Sequence, residues 1–423
     1  MARSTVWHPF TQHAVEPNPT SIARGKGAWL ETADNRRIFD GISSWWVITH
    51  GHRHPAIVAA VQDQIDKLDQ VIFAGFTHEP AEKLADKLVD MAPRGLKNVF
   101  FSDSGSTSVE VALKMALGYW RNIGAPRTRI AALEHGYHGD TIGTMSAGAR
   151  GVFNAAYEPL LFDVVRIPFP HPGREQETLD ALDAAARQAP LAAFIAEPLI
   201  LGAGGMLTYS PAVLAEMKSV CERHRALFIA DEVMTGWGRT GRVFACNHAG
   251  ITPDILCVAK GLTGGSLPLA ATLATEPIYD AHYSDDRSRT FFHSSSFTAN
   301  PVCCAAALAN LVVWDNEPVL ERITKLAGMQ ASRLASLAAD DTNFERPRQL
   351  GTITAIDLKV SDHGYLAAAG PALRAHFLAQ GVLLRPLGNT IYVMPPYCST
   401  AADLDLVYEA IRSAPEAFSR SSA

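Results

Sequence analysis

Short apolar runs flanked by turn residues recur through the middle of the chain, and they predict buried strands. These runs are residues 98–101, 129–133, 191–196, 227–230 and 255–259. Between them, apolar residues at three- and four-residue spacing predict helices over residues 106–120 and 211–224. Because strands alternate with helices, we expect an α/β fold whose large domain contains a mostly parallel sheet covered by helices on both faces.

The two ends of the chain have a different pattern. Residues 28–30 and 37–39 are short strand-like runs in an otherwise irregular N-terminal part, and helical spacing follows over residues 54–68 and 80–91. Two adjacent tryptophans, Trp45 and Trp46, lie between these parts. Neighbouring side chains in an extended chain point to opposite faces, so we expect one tryptophan in the core and the other free to line a ligand pocket.

After a helix predicted over residues 301–314, the chain becomes mixed in character. Residues 382–384 and 391–394 are predicted to be strands around a turn at residues 388–389. We read this part as a smaller α+β domain. The expected division is an N-terminal segment that packs with the small domain (1–52), a large domain (53–312) and the C-terminal small domain (313–423).

Composition and charge narrow the class of protein. The 423 residues can bury a large core, and the net charge of −6 without a basic run argues against nucleic acid as a partner. The N-terminus has no apolar signal-peptide region. Residues 290–314 carry no Asp, Glu, Lys or Arg, but their serines, asparagines and proline favour a buried loop and helix over a membrane span. The six cysteines form no CxxC pair, which indicates a reduced, cytoplasmic protein.

Two neighbouring predicted strands each end in a charged side chain, Asp231 and Lys260. The carboxyl ends of parallel strands are where α/β proteins bind their ligands. Lys260 could pair with Asp231 or hold a phosphate. The alternative is a Schiff-base lysine for pyridoxal phosphate, with Asp231 keeping the pyridine nitrogen protonated so that the ring accepts electrons.

A loop of small polar residues, 102–107, joins a predicted strand to a predicted helix. Ser104 or Ser106 could be a simple helix cap. The position of the loop at the same sheet edge as Asp231 and Lys260 favours a phosphate site at the helix N-terminus.

Further polar residues follow other predicted strands. Tyr137, bracketed by glycines, suits stacking on a flat ring, and Glu197 adds a carboxylate to the same edge. His135 and His138 lack a matched third ligand, so we do not expect a metal. The glycine-rich turn after Asp231 could direct Arg239 toward a cofactor, or be only a structural turn.

At these motifs the chain resembles the class III (subgroup II) pyridoxal-phosphate aminotransferases of fold type I, over nearly its whole length. The strongest marks are IAEP (195–198), IADEVMTGWGRTG (229–241), ILCVAKGLTGG (255–265) and the loop DSGS (103–106). Narrower marks are VWHPFTQH (6–13) and SSWW (43–46), which resemble the members of the family that act in biotin biosynthesis.

The resemblance implies pyridoxal 5'-phosphate as the cofactor. Lys260 would bind it covalently and Asp231 would bind its pyridine nitrogen. Gly105 and Ser106 would hold the phosphate, and Tyr137 would stack on the ring. Further implied cofactor contacts are Glu197 and, toward the neighbouring subunit of a homodimer, Ser295 and Ser296. Implied substrate contacts are Phe10, Trp45, Tyr137, Lys260, Ser294 and Arg385, the last for a substrate carboxylate.

The implied substrates are S-adenosylmethionine as amino donor and 8-amino-7-oxononanoate as acceptor. One departure is Phe10, where the family usually has a tyrosine, so that hydroxyl is missing from the pocket. Ser294–Ser296 replaces a Gly-Pro-Thr type run but keeps a hydroxyl. Two rival hypotheses are another class III aminotransferase, acting on lysine, ornithine, 4-aminobutyrate or a polyamine, and a non-catalytic binding protein of the same fold.

Overall fold

The computed structural model describes residues 4–16, 18–340, 342–360, 364–367 and 369–421. The strands in these ranges are β1 (Ile22–Lys26), β2 (Trp29–Thr32), β3 (Arg37–Asp40), β4 (Leu96–Ser102), β5 (Arg129–Leu133), β6 (Val165–Ile167), β7 (Leu191–Ala196), β8 (Ile200–Leu201), β9 (Leu207–Thr208), β10 (Leu227–Asp231), β11 (Ile255–Val258), β12 (Ala270–Thr275), β13 (Phe344–Leu350), β14 (Ile353–Leu358), β15 (Val382–Leu383) and β16 (Thr390–Val393).

The α-helices of the same ranges are α1 (Ser43–Trp46), α2 (Pro55–Ile65), α3 (Glu79–Met91), α4 (Gly105–Asn122), α5 (Ile142–Ala147), α6 (Glu175–Gln188), α7 (Pro211–Arg223), α8 (Cys246–Ala249), α9 (Glu276–His282), α10 (Pro301–Asn316), α11 (Val319–Ala338), α12 (Ala369–Ala379), α13 (Ala401–Arg412) and α14 (Ala414–Ser421). Short 3-10 helices span Ala155–Leu160, Lys260–Thr263 and Arg287–Arg289.

Seven strands between residues 96 and 275 form one sheet, in the order β4-β12-β11-β10-β7-β5-β6. Only β12 runs antiparallel to its neighbours in this sheet, so the mostly parallel sheet predicted from the sequence is confirmed. Side chains of β10 alternate between two apolar clusters: Phe228 and Ala230 belong to one, Leu227 and Ile229 to the other. The strand is therefore buried on both faces, which explains its continuous apolar sequence.

The N-terminal strands are joined to the C-terminal part of the chain. β1, β2, β3 and β15 form one sheet, and β13, β14 and β16 form another. Phe39 shares an apolar cluster with Leu384 and Val393. The expected turn between residues 382–384 and 391–394 does not make them a hairpin. β15 pairs in parallel with β3, and β16 pairs with β14 in a different sheet.

Trp45 and Trp46 lie in a tight helical turn, and not in the extended backbone that the prediction assumed. Ser43, Ser44 and Trp46 all have positive φ angles, of 54°, 61° and 66°. The Asp40 carboxylate holds this strained turn by accepting hydrogen bonds from the Ser44 amide (2.7 Å) and hydroxyl (2.9 Å). Trp46 is 6% exposed and Trp45 is 42% exposed, so one tryptophan is in the core and the other is accessible, as predicted.

Within the described ranges, no helix is both long enough and apolar enough to cross a membrane.

Candidate active site

Four of the parallel strands deliver polar residues to one edge of the sheet. Ser102 ends β4, Glu197 follows β7, Asp231 ends β10 and Lys260 follows β11. β10 and β11 are adjacent and parallel, with Asp231 paired to Cys257 in register. A cavity of about 430 Å³ opens at this edge, and Glu197, Asp231 and Lys260 line it. The sequence prediction that these side chains meet is confirmed.

Lys260 begins a 3-10 helix with a φ of +47°, a left-handed conformation that is uncommon for a residue with a side chain. Its Nζ lies 5.4 Å from the ring centroid of Trp46. Burial lowers the pKa of the Lys260 amine, while the carboxylates of Asp231 and Glu197 act in the opposite direction. A larger share of this amine is therefore neutral than would be the case on the surface.

Asp231 is held by a partner that the sequence did not single out. His138 Nδ1 lies 2.7 Å from Asp231 Oδ2, and the backbone amide of Val233 donates to Oδ1 at 3.1 Å. His138 and Asp231 are 4% and 3% exposed. The carboxylate is thus fixed in orientation. The motif HGYHGD contained His138, but only the fold brings it to Asp231, 93 residues later.

The loop after β4 forms the N-terminus of α4 and closes one side of the cavity. Ser104 is the helix cap, and its hydroxyl accepts from the Thr107 amide at 3.2 Å. The cap hypothesis is therefore correct for Ser104. The amides of Gly105 and Ser106 start the helix and have no acceptor inside it, which leaves them available to an anion.

Close packing explains the glycines around this loop. A Cβ on Gly105 would lie 2.6 Å from Val233 Cγ1. A Cβ on Gly139, whose φ is +132°, would lie 2.1 Å from Ser106 Oγ. The Asp140 amide donates to that same hydroxyl at 3.2 Å. A side chain at either glycine would collide with Val233 or Ser106 and displace the residues around the helix N-terminus.

Tyr137 and Glu197 are coupled through the backbone. Glu197 accepts hydrogen bonds from the amides of Tyr137 and Gly202, both at 3.0 Å. Burial raises the pKa of the Glu197 carboxyl to about 7 in spite of these donors. Burial and the nearby Asp140 carboxylate raise the pKa of the Tyr137 phenol, so this hydroxyl stays protonated.

A second cavity of about 300 Å³ adjoins the first, and Trp46, Tyr137 and Lys260 line both. Its walls include Phe10, Trp45 and Arg385, three of the residues implied as substrate contacts, together with Phe153 and Tyr365. The rings of Phe10 and Trp45 are 5.5 Å apart. The side chain of Arg385 is therefore at the wall of a largely aromatic pocket that opens toward Lys260.

The serine run is placed elsewhere. Ser294, Ser295 and Ser296 are absent from the lining of both cavities within the described chain. The Ser295 amide donates to Thr298 Oγ1 at 2.9 Å, and the Ser296 carbonyl accepts from the Gln70 side chain at 2.7 Å. Their implied roles at the phosphate of a neighbouring subunit and toward the substrate stay predictions.

Arg239 has a structural role, so the possibility that its turn directs it at a cofactor was wrong. It is 1% exposed and donates to the carbonyls of Pro395 (3.1 Å), Trp46 (3.4 Å) and Ile48 (2.9 Å). The guanidinium therefore donates to backbone carbonyls from the N-terminal and the C-terminal parts of the chain.

The described residues contain no group of three or more His, Cys, Asp or Glu side chains that could hold a metal ion.

The chain belongs to the class III aminotransferase family, whose description "Aminotransferase class-III" matches residues 10–414. It is therefore a pyridoxal-phosphate-dependent aminotransferase. It is 48% identical to the adenosylmethionine-8-amino-7-oxononanoate aminotransferase of Synechococcus elongatus, over 96% of this chain and 97% of that protein. The protein of the same name from Anoxybacillus flavithermus is 40% identical over 98% of this chain and 95% of its own length.

Solved structures agree with this assignment. The adenosylmethionine-8-amino-7-oxononanoate aminotransferase of Methanocaldococcus jannaschii superposes with a TM-score of 0.92 at 34% identity, covering 97% of this chain and 96% of that one. An amine transaminase from an uncultivated Pseudomonas species, in its pyridoxal-phosphate-bound form, gives a TM-score of 0.92 at 33% identity and covers 98% of both chains. The predicted fold type I is thereby confirmed.

The site itself fits pyridoxal phosphate. The cofactor needs an amine for its aldehyde, an anion for its pyridine nitrogen and donors for its phosphate. Lys260, Asp231 and the α4 N-terminus supply these three groups around one cavity. Gly105 and Gly139 let the chain pack closely around the α4 N-terminus, because a larger residue would collide with Val233 or Ser106 there.

Proposed function

We propose that this chain transfers an amino group from S-adenosylmethionine to 8-amino-7-oxononanoate, forming 7,8-diaminononanoate for biotin biosynthesis. The names of its full-length relatives support this proposal. The structural observation that carries it is the pair of adjoining cavities. One has the groups that suit the cofactor, the other has aromatic walls and a cation, and Lys260 and Tyr137 belong to both.

The cofactor would be held at three points by this chain. The amides of Gly105 and Ser106 would bind its phosphate, aided by the positive end of the α4 dipole. Asp231, oriented by His138, would bind the pyridine nitrogen, and Tyr137 would stack on the ring. When bound, pyridoxal phosphate supplies a conjugated ring that takes up the electron pair released as a substrate C–H bond breaks.

Lys260 is the residue that we assign to proton transfer. It would anchor the cofactor in the resting enzyme and, once displaced by the substrate amine, take the proton from the substrate carbon and return it. Burial lowers its pKa, so the neutral, proton-accepting amine is more populated near neutral pH. Its left-handed backbone directs the side chain into the space that the two cavities share.

The second cavity suits a long apolar chain that ends in a carboxylate. Phe10 and Trp45 provide apolar surface, and Arg385 provides a planar cation whose N–H groups match a carboxylate. The Arg385 guanidinium lies 5.3 Å from the centroid of the Trp45 ring and donates to the Phe10 carbonyl at 2.8 Å, so it is held in place before substrate binds. The amino ketone would place its carboxylate at Arg385 and its ketone near Lys260.

We further propose a cytoplasmic homodimer with shared active sites. In this arrangement Ser295 and Ser296 would contact the cofactor phosphate bound by the neighbouring subunit, and Ser294 would contact its substrate. Phe297 (61% exposed) and Phe292 (71% exposed) lie beside these serines, and their exposure supports an interface that a second subunit covers.

We also propose the division of the chain into an N-terminal segment (1–52), a large domain (53–312) and a small domain (313–423).

A half-reaction titration tests the proposed function. The purified enzyme with pyridoxal phosphate is mixed with S-adenosylmethionine, and the visible absorbance of the cofactor is followed. We expect that absorbance to fall and to return when 8-amino-7-oxononanoate is added. The solved structures of amine and omega transaminases at TM-scores of 0.90–0.92 make other amines the natural comparison. Conversion by lysine, ornithine or 4-aminobutyrate alone would replace the proposed donor.

A further inference from the structure

Asn310, on α10, reaches the turn that carries Lys260. Its Nδ2 donates to the carbonyl of Gly261 at 3.1 Å and to that of Leu262 at 3.0 Å. The side chain is fully buried, with 0% exposure. One side-chain amide thus ties together the first two carbonyls after Lys260, although it lies outside both cavities described above.

The Lys260 turn needs such a support. Its first residue has a φ of +47°, and the 3-10 helix that follows spans only Lys260–Thr263. Short 3-10 helices have poor hydrogen-bond geometry, and a left-handed non-glycine residue persists only where its surroundings hold it. On the other side of Lys260 the Ala259 carbonyl accepts from Trp237 Nε1 at 3.1 Å. Trp237 thus holds the carbonyl before Lys260, and the Asn310 amide holds the two carbonyls after it.

The amide can adopt only one orientation. Two carbonyl acceptors on the Lys260 side require its NH2 group, so Oδ1 must point away. That oxygen lies beside His50, whose two ring nitrogens are buried and lack a hydrogen-bond partner among the described residues. Burial lowers the pKa of His50 to about 4, so the ring is neutral near pH 7 and keeps one N–H donor. The surroundings of Asn310 therefore offer two acceptors to Nδ2, whereas Oδ1 has no hydrogen-bond partner among the described residues.

We propose that Asn310 is a positioning residue for Lys260: it sets the Lys260 turn so that the amine points into the space shared by the two cavities. This inference rests on the proposed role of Lys260. A misplacement of about 1 Å at a reacting group costs on the order of 100-fold in rate. Loss of the amide should therefore appear in catalysis and not only in stability.

The test compares Asn310→Ala with a matched variant, Gln330→Ala. Gln330 is also a fully buried amide on a helix, and its Nε2 donates to the Thr352 carbonyl at 2.7 Å, away from the cavities. For both variants, with bound pyridoxal phosphate, we would measure kcat, KM, the melting temperature and the pH at which the cofactor absorbance changes. That pH reports on the environment of the lysine that binds the cofactor.

We expect Asn310→Ala to lower kcat about 10- to 100-fold with little change in KM, and to move the absorbance midpoint. Gln330→Ala should lower the melting temperature by a similar amount and leave kcat and the midpoint unchanged. An Asn310→Ala enzyme with normal kcat and midpoint would overturn the inference, as would equal kcat losses in both variants.

Two further variants make the result decisive. If Asn310→Ala does not fold, Asn310→Leu replaces it, since leucine keeps a similar side-chain volume and removes both N–H donors. Wild-type kcat and midpoint in that variant would overturn the inference, and lowered kcat with a moved midpoint would support it. Lys260→Ala separates the inference from the proposed function. Transamination that survives in Lys260→Ala refutes the proposed role of Lys260. An inactive Lys260→Ala beside a normal Asn310 variant refutes only the role of Asn310.

Discussion

Replacing Arg385 with leucine tests whether the second cavity recognises a carboxylate. Among the described residues, the guanidinium contacts one backbone carbonyl and one indole ring, so further N–H groups can face the cavity. A hydrogen bond to a charged group contributes about 1.5–3 kcal/mol. At about 1.4 kcal/mol per factor of ten, Arg385→Leu should lower kcat/KM for 8-amino-7-oxononanoate about 10- to 150-fold.

Leucine also removes the contacts of Arg385 with Phe10 and Trp45. The part of the loss in kcat/KM that comes from the substrate carboxylate must therefore be measured separately. The assay is therefore run with the amino ketone and with its neutral methyl ester, on the wild-type enzyme and on the variant. We expect kcat/KM for the acid to fall by the full 10- to 150-fold and kcat/KM for the ester to fall much less. The difference between the two losses measures the coupling between the Arg385 guanidinium and the substrate carboxylate. Equal losses for acid and ester would refute the reasoning. Arg36→Leu, at an exposed surface pair, is the control and should leave both substrates unaffected.

Three other substitutions probe the cofactor side. Gly139→Ala should weaken pyridoxal-phosphate binding at least tenfold in a fluorescence titration, because its Cβ would lie 2.1 Å from Ser106 Oγ at a φ of +132°; unchanged affinity would exclude that crowding. His138→Ala should lower the free energy of unfolding by about 1–3 kcal/mol in urea melts, because Oδ2 of buried Asp231 loses its ring partner and only the Val233 amide still donates to this carboxylate; an unchanged free energy would mean that water takes the place of the ring. Glu197 has a folded pKa of about 7, above its ordinary 4.5, so its contribution to stability is present below pH 4.5 and is lost as the pH rises through 7. Relative to the wild type, Glu197→Gln should therefore gain about 3 kcal/mol between those pH values, and a pH-independent difference would contradict the pKa.

The sequence alone predicted five of the seven strands of the large sheet, and it predicted the polar residues that follow several of them. Buried parallel strands have continuous apolar sequences because both faces are covered, so β7, β10 and β11 were visible as apolar runs. A ligand site in such a sheet lies at the carboxyl ends of the strands, so the residues that follow each run, such as Asp231 and Lys260, could be predicted to meet. The motifs around them then indicated the family.

Only the tertiary structure decided which polar residues support those side chains. His138 as partner of Asp231, Asn310 at the Lys260 turn and the backbone carbonyls around Arg239 join parts of the chain that are far apart in sequence. The antiparallel β12 and the pairing of β15 with β3 belong to the same category. The physical reason is that an apolar period reports which face of an element is buried, whereas a hydrogen bond between distant elements depends on their packing. A buried histidine, asparagine or arginine therefore has the same local pattern whether it binds a ligand or holds the backbone in place.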